Sequence, residues 1–193
     1  MEMSSEGLRL RIPGERVGVL IGPEGGIKSA IENKLSVEMS VDGDTGNVEI
    51  VSSAGGNPAD MFKARDVVTA IGRGFSPENA FKLFDEDAVL IIIDLREYFG
   101  RSDSDIGRVK SRIIGEKGKA RRNLEEISGT KISLYGHTIA IIGDVVHTGI
   151  AREAVEMFIE GRSHSTVYRS LQIKRDELRK QEAEIWRGPE GKE

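Results

Sequence analysis

The stretch RVKSRIIGEKGKARRNLEEISG, from Arg108 to Gly129, places two glycines three residues apart within a strongly basic segment. From Arg108 to Arg122 it holds seven basic residues and one acid, a net charge of +6, whereas the whole chain of 193 residues carries −4. The basic residues are Arg108, Lys110, Arg112, Lys117, Lys119, Arg121 and Arg122, and the acid is Glu116. Binding to a polyanion would therefore depend on this local patch rather than on net charge.

A second copy of the pattern lies 93 residues earlier, in RVGVLIGPEGGIKSAIEN from Arg16 to Asn33. Gly22 and Gly25 align with Gly115 and Gly118 without a gap, and an apolar pair precedes each glycine pair. An amphipathic segment follows each pair. A single glycine pair would be weak evidence, but two copies with matching flanks indicate a duplicated structural unit.

The flanking segments predict the same order of elements in both copies. An apolar stretch that predicts a strand precedes each glycine pair, a two-stranded hairpin pattern follows, and a helical pattern closes the copy. The strands are predicted at 8–12 and 88–95, the hairpins at 37–50 and 130–144, and the closing helices at 58–73 and 145–160. The sequence therefore predicts an α+β protein in which strand, helix, glycine loop, helix, strand, strand and helix occur twice.

The remaining segments predict a connector and a tail. Ser76-Pro77-Glu78 is a helix-start signal within a short connector. Ser165 or Thr166 is predicted to cap a last helix that reaches about Trp186. The predicted domains are a first repeat at 5–74, a helical connector at 75–87, a second repeat at 88–161 and a C-terminal helix at 162–187. The continuous apolar run 89–94 predicts a strand that lies at the interface with the other repeat or the tail helix.

A Gly-x-x-Gly loop between two helices is suited to holding a phosphate. Without Cβ atoms, the backbone can approach the phosphate closely, and the following helix directs its free N–H groups and positive dipole end at it. Lys119, Arg121 and Arg122 lie in the first turn of that helix, where cations oppose the dipole. An anionic partner reverses this unfavourable interaction, so the loop is predicted to hold a nucleic-acid backbone.

The segments VGVLIGPEGG (Val17–Gly26) and KSRIIGEKGK (Lys110–Lys119) resemble the KH domain of the first, eukaryotic type. The resemblance implies two such domains, each a three-stranded antiparallel sheet with three helices on one face, and a loop that clamps about four single-stranded nucleotides. The RNA-binding residues that it implies are Lys110, Arg112, Ile113, Gly115, Glu116, Lys117, Gly118, Lys119, Arg121, Arg122, Lys131, Ile132 and Ser133.

The segments SRIIGEKGKARRNLEEISGTKISLYGHTIAIIG and GRSHSTVYRSL more specifically resemble the archaeal counterpart of the partner-of-Nob (Dim-type) factors. These factors assemble the small ribosomal subunit. The resemblance implies RNA binding at the 3′ end of small-subunit rRNA, with a pre-rRNA nuclease and the assembling subunit as partners. A cytoplasmic location is expected, because the chain has no cysteine and an acidic start.

The first loop differs from the second in charge. It contains Pro23 and Glu24, so it has an acid, no cation, and one fewer N–H donor. Lys28 remains nearby. Principal RNA binding is therefore predicted at the second loop. A secondary contact, to RNA or to protein, is the role predicted for Gly22, Pro23, Glu24, Gly25 and Lys28.

Other functional classes fit the residues less well. A dinucleotide fingerprint would follow a strand directly, and no P-loop sequence occurs. His137, His147 and His164 are isolated, and Asp85-Glu86-Asp87 is interpreted as a solvated turn. No enzymatic activity, cofactor, metal ion or membrane attachment is therefore expected. Two alternatives stay open: a general KH regulator of RNA, and a protein-interaction scaffold whose KH domains have lost RNA.

Overall fold

The structure, a computed structural model, describes residues 7–187 apart from the side chains of residue 182 and residues 185–187. The chain folds into two compact units. Of the described residues, one unit comprises 7–94 and 131–144, and the other comprises 95–130 and 145–187. Within the described residues, no helix combines the length and the apolar composition that crossing a membrane requires.

The first repeat has the predicted order of elements. Its elements are β1 (Leu8–Arg11), α1 (Gly14–Ile21), α2 (Gly26–Leu35), β2 (Val37–Val41), β3 (Asn47–Ser52) and α3 (Pro58–Gly72). The glycine loop forms one 3-10 turn, Pro23–Gly25, between α1 and α2. Helix α3 begins as expected, because the Asn57 side chain accepts a hydrogen bond from the amide of Ala59 and Pro58 occupies the first helical position.

The three strands form an antiparallel sheet in the order β1-β3-β2. Alternate residues of β2 and β3 are buried on one face, as the period of two in a strand requires. These residues, Val37, Met39, Val48 and Ile50, share one core with apolar residues of α1, α2 and α3. The three helices of the first repeat therefore cover one face of its sheet, as expected.

The connector packs tightly rather than forming a flexible linker. It consists of α4 (Pro77–Ala80) and a 3-10 turn, Phe81–Phe84. The Ser76 side chain accepts a hydrogen bond from the amide of Asn79, which confirms the predicted helix start. Phe75, Ala80 and Leu83 are buried in the core of the first repeat.

The sheet of the second repeat belongs to the same compact unit as the first repeat. Its strands are β4 (Ala88–Asp94), β5 (Lys131–Tyr135) and β6 (Thr138–Asp144), in the antiparallel order β4-β6-β5. Ala140 and Ile142 of β6 are part of the core that the first repeat builds, and Ala88 and Leu90 of β4 pack against it. The predicted interface for β4 is therefore confirmed, although Ile92 is 39% exposed.

The helices of the second repeat and the C-terminal helix form the other unit. They are α5 (Arg96–Phe99), α6 (Asp103–Ile114), α7 (Lys119–Ser128), α8 (Val145–Ile159) and α9 (His164–Arg187), and a 3-10 turn at Glu116–Gly118 forms the glycine loop. The short helix α5 was not predicted. The predicted cap of the last helix was wrong, because the Ser163 hydroxyl accepts a hydrogen bond from the amide of Thr166 and so caps α9, which begins at His164.

The compact units and the sequence repeats divide the chain differently. The predicted domain bounds, 5–74, 75–87, 88–161 and 162–187, follow the repeat, and they stay a prediction about repeat units. Ser5 and Glu6, at the start of the first of these domains, lie outside the described residues.

Candidate nucleic-acid interface

The loop Gly115–Gly118 joins α6 to α7, and its conformation requires glycine at the first position. Gly115 has φ 68° and ψ −178°. A Cβ atom at this position would lie 2.5 Å from the Cβ of Ala120, much closer than two nonbonded carbon atoms approach. The missing side chain therefore lets the end of α6 contact the first turn of α7.

Lys117 is the cation within the loop itself. Its backbone is left-handed, with φ 49° and ψ 29°, a conformation that residues other than glycine adopt rarely. The side chains of Lys117 and Lys119 are exposed. No side chain caps the first turn of α7, so the positive end of the helix dipole is directed at whatever binds the loop.

Arg122 adds a third cation to the loop. Its Nη1 donates a hydrogen bond of 2.9 Å to the carbonyl of Lys117, which holds the guanidinium against the loop backbone. Arg121 is half-buried, and its Nε has no hydrogen-bond partner. Four basic residues and one acid, the exposed Glu116, give the segment from Gly115 to Arg122 a net charge of +3.

Two predicted binding residues of α6, Arg112 and Ile113, make contacts within the protein, as does Arg108 of the same basic segment. Arg108 pairs with Asp105 at 3.0 Å near the start of the helix. Arg112 donates to the carbonyl of Arg162, and the His164 ring is 2.8 Å from the carbonyl of Arg112. These two bonds anchor the segment that leads into α9. Ile113 is fully buried.

Ile114 is not among the residues that the sequence predicts to bind RNA. It is half-buried and immediately precedes Gly115, whereas Ile113 lies inside the unit. The helical period could have indicated that Ile113 and Ile114 differ in burial, because consecutive residues of a helix point about 100° apart. Lys110 is half-buried on α6.

Helix α9 packs along α7 from a point close to the loop. The Tyr168 hydroxyl donates to the carbonyl of Ala120, with 3.4 Å between the oxygens, and its ring meets the edge of Phe158. Burial raises the pKa of Tyr168 above its ordinary value of 10.0, although a hydrogen bond with Asn123 acts in the opposite direction. The tail helix therefore supports the helix that carries the cations.

The three predicted binding residues of β5 lie in the other compact unit. Lys131 is half-buried, and Ile132 and Ser133 are buried. The Ser133 hydroxyl donates a hydrogen bond of 2.8 Å to the carbonyl of Arg73, at the end of α3. The hydroxyl proton of Ser133 is therefore already engaged in a hydrogen bond within the protein.

The first loop has the same backbone as the second but different charges. Gly22 has φ 72° and ψ 176°, and Glu24 has φ 52° and ψ 25°, close to the values at the equivalent positions 115 and 117. Glu24 and Pro23 are exposed. Lys28 pairs with Glu32 at 3.3 Å, so the nearby cation is already neutralised.

Histidines and acids outside the loops form local contacts. His137 lies 3.4 Å from Asp94, at the end of β4. In the part of the chain that the structure describes, no three His, Asp or Glu side chains are grouped in a way that could hold a metal ion.

Residues 89–176 match the family model of the eukaryotic type KH domain (KH domain type I) that represents the second domain of PNO1 proteins. Over 179 residues the chain is 44% identical to a KH domain-containing protein of Methanocaldococcus jannaschii, and the match covers 92% of this chain and 78% of that protein. The chain belongs to the PNO1-type family of KH-domain proteins.

Two further matches have descriptions that mention rRNA. The pre-rRNA-processing protein PNO1 of Phaeosphaeria nodorum is 30% identical over 140 residues, which are 72% of this chain and 53% of that protein. The chain thus spans about half the length of this fungal relative. A chain in the crystal structure of an a/eIF2α–aDim2p–rRNA complex from Pyrococcus horikoshii matches with a TM-score of 0.85 and 41% identity, covering 91% of this chain and 97% of that one.

Proposed function

We propose that this chain binds single-stranded RNA through the loop Gly115–Gly118, and that the RNA is the 3′ end of small-subunit rRNA during ribosome assembly and processing. One observation carries the proposal. Lys117, Lys119 and Arg122 surround a glycine loop whose backbone lies at the uncapped start of α7. A phosphate there would meet both the helix dipole and three cations.

The identity of the RNA is inferred from the relatives. One is a pre-rRNA-processing protein, and another match is to a chain of a complex that contains rRNA. A pre-rRNA nuclease and the assembling small subunit are the protein and particle partners of this proposal. The chain would act by binding rather than by catalysis.

The first repeat is proposed to be a KH domain that does not clamp RNA. Its loop has the backbone of a KH loop, but Glu24 places a carboxylate where the second loop has an ammonium group. A carboxylate beside a phosphate is repulsive, and Lys28 is already paired. This difference in charge between the two loops is also compatible with a role of the first repeat in binding protein.

The experiment replaces Glu116 and Lys117 together with aspartate and measures binding of short labelled single-stranded RNA. Aspartate tolerates the left-handed conformation at position 117, so the loop should keep its shape while it gains negative charge. Affinity should be lost, while stability changes by about 0.5 kcal/mol or less because both residues are exposed.

The matched control replaces Pro23 and Glu24 with aspartate in the first loop, which should affect RNA binding much less. If the first-loop variant loses RNA and the second-loop variant keeps it, the functional loop has been assigned to the wrong repeat. Sequencing of RNA recovered with the protein then tests the target. Enrichment at the 3′ end of small-subunit rRNA supports ribosome assembly, and scattered messenger RNA indicates a general KH regulator.

A further inference from the structure

A small cavity lies in the second unit at the opposite end of α7 from the glycine loop. Its volume is about 160 Å³, and its polar wall consists of Glu126, Gly129, His147, Arg175 and Arg179. A cavity of this size is similar to one that holds a benzene molecule, about 150 Å³. It can therefore hold a group as large as a phosphate.

Arg175 has a buried donor that no protein group satisfies. Its side chain is only 25% exposed, and its Nε is buried without a hydrogen-bond partner. The ion pair with the neighbouring Asp176 spans 3.6 Å, which is too long for a hydrogen bond. A buried guanidinium N–H without an acceptor is costly, so an acceptor at this place would be favourable.

The charges around the cavity identify the acceptor as an anion. Arg175 and Arg179 are one helical turn apart on α9, so two like charges face the same space. His147, near the start of α8, adds a third nitrogen-bearing side chain, and Glu126 is the single acid of the wall. Guanidinium groups match the oxygens of a phosphate in geometry as well as in charge.

Several residues that line this cavity have no counterpart in the first repeat. The position that corresponds to Glu126 is Asn33, and the third residue of the closing helix is Asp60 instead of His147. No helix of the first repeat corresponds to α9, which carries both arginines. This combination of lining residues therefore belongs to the repeat that also has the basic loop.

We propose that the cavity binds a backbone phosphate of the RNA, beyond the nucleotides that the loop clamps. This source of the phosphate rests on the proposed function. Helix α7 has ten residues, so the loop and the cavity are about 15 Å apart along the helix. A strand longer than the roughly four nucleotides of a KH clamp is needed to reach both sites. The C-terminal helix thus becomes a part of the RNA-binding surface.

The first arm of the test uses inorganic phosphate and the full chain without RNA. Phosphate titration is followed by NMR at the Nε–H of Arg175 and the amide of Gly129. A saturable shift at both positions supports the site. The absence of a saturable shift overturns it, whether or not the chain binds RNA.

The second arm compares Arg179→Gln with Lys180→Gln, which remove the same charge from adjacent residues of α9. Both residues are exposed, but only Arg179 lines the cavity. With an RNA of about 12 nucleotides, three times the length of the clamp, Arg179→Gln should lower the slope of log affinity against log salt by about 0.7, the loss of one phosphate contact. Lys180→Gln should leave this slope unchanged, and neither variant should weaken binding of a four-nucleotide RNA.

Equal slopes for the two variants overturn the assignment to RNA, and a phosphate shift in the first arm would then identify another phosphate source. If the parent chain fails to bind the four-nucleotide RNA, the proposed function fails instead. The phosphate titration still decides whether the cavity is an anion site.

Discussion

Glu24 and Lys117 occupy the same point of the same loop backbone in the two repeats, with φ and ψ of 52° and 25° for the first and 49° and 29° for the second. Both side chains are exposed, and both residues precede the second glycine of their loop. The two loops therefore differ in charge and not in shape. Charge at this single position separates a loop suited to phosphate from one that repels it.

The first prediction is that Lys117→Glu lowers RNA affinity by about tenfold or more, because a hydrogen bond to a charged group contributes about 1.5–3 kcal/mol. Thermal stability should barely change, since the residue is exposed. Fluorescence anisotropy with labelled single-stranded RNA measures the affinity. The reciprocal variant Glu24→Lys should not weaken binding, and a loss of RNA there would contradict the assignment of the loops.

The second prediction concerns Arg122, whose Nη1 lies 2.9 Å from the loop carbonyl of Lys117. Arg122→Ala should weaken binding and lower the slope of log affinity against log salt by about 0.7, as one phosphate contact is lost. Arg108→Ala is the matched control, because Arg108 pairs with Asp105 away from the loop. Equal slopes for both variants would show that the basic segment acts only through its total charge.

The third prediction assigns Ser133 to stability rather than to RNA contact. Its hydroxyl donates to the carbonyl of Arg73, so Ser133→Ala should lower the free energy of unfolding by about 1 kcal/mol. RNA affinity should stay the same. Denaturant unfolding and RNA titration are measured on the same variant, with the exposed Ser40→Ala as a control. Lost affinity at unchanged stability would support the RNA role that the sequence predicts for Ser133.

The fourth prediction tests whether the second sheet completes the core of the first repeat. Ile142 is 1% exposed and belongs to that core, so Ile142→Ala should lower the free energy of unfolding by about 2–5 kcal/mol. Ile92 of β4 is 39% exposed, and Ile92→Ala should have a much smaller effect. Similar losses for the two variants would contradict the arrangement.

The fifth prediction concerns Tyr135, whose hydroxyl donates to the Glu15 carboxylate. This hydrogen bond raises the pKa of Tyr135 above its ordinary value of 10.0. The folded protein holds the phenolic proton more tightly than the unfolded chain, so this contribution to stability is present below pH 10.0 and is lost as the pH rises through the raised pKa. The difference in ultraviolet titration between the parent chain and Tyr135→Phe measures the pKa, and Glu15→Gln should lower it.

Local signals were sufficient to predict the order of elements and the glycine loops. Asn57-Pro58 and Ser76-Pro77 cap helices as predicted because a cap depends on neighbouring residues alone. Gly115 could be identified because its role depends on backbone conformation and on Ala120, five residues away. The start of α9 was misplaced because Ser163, Ser165 and Thr166 are all suitable caps. Propensity alone does not choose among them.

The sequence by itself determined the repeat, the loop conformation and the contrast between Glu24 and Lys117, since each is a property of a short segment. Only the tertiary structure decided which cations serve the loop. Arg122 folds back onto it, whereas Arg112 is held by the carbonyl of Arg162, fifty residues later. It also placed the sheet of the second repeat in the core of the first, through Ile142. Such contacts join residues that are far apart in the chain. They depend on packing and on hydrogen-bond partners that a local sequence pattern does not show.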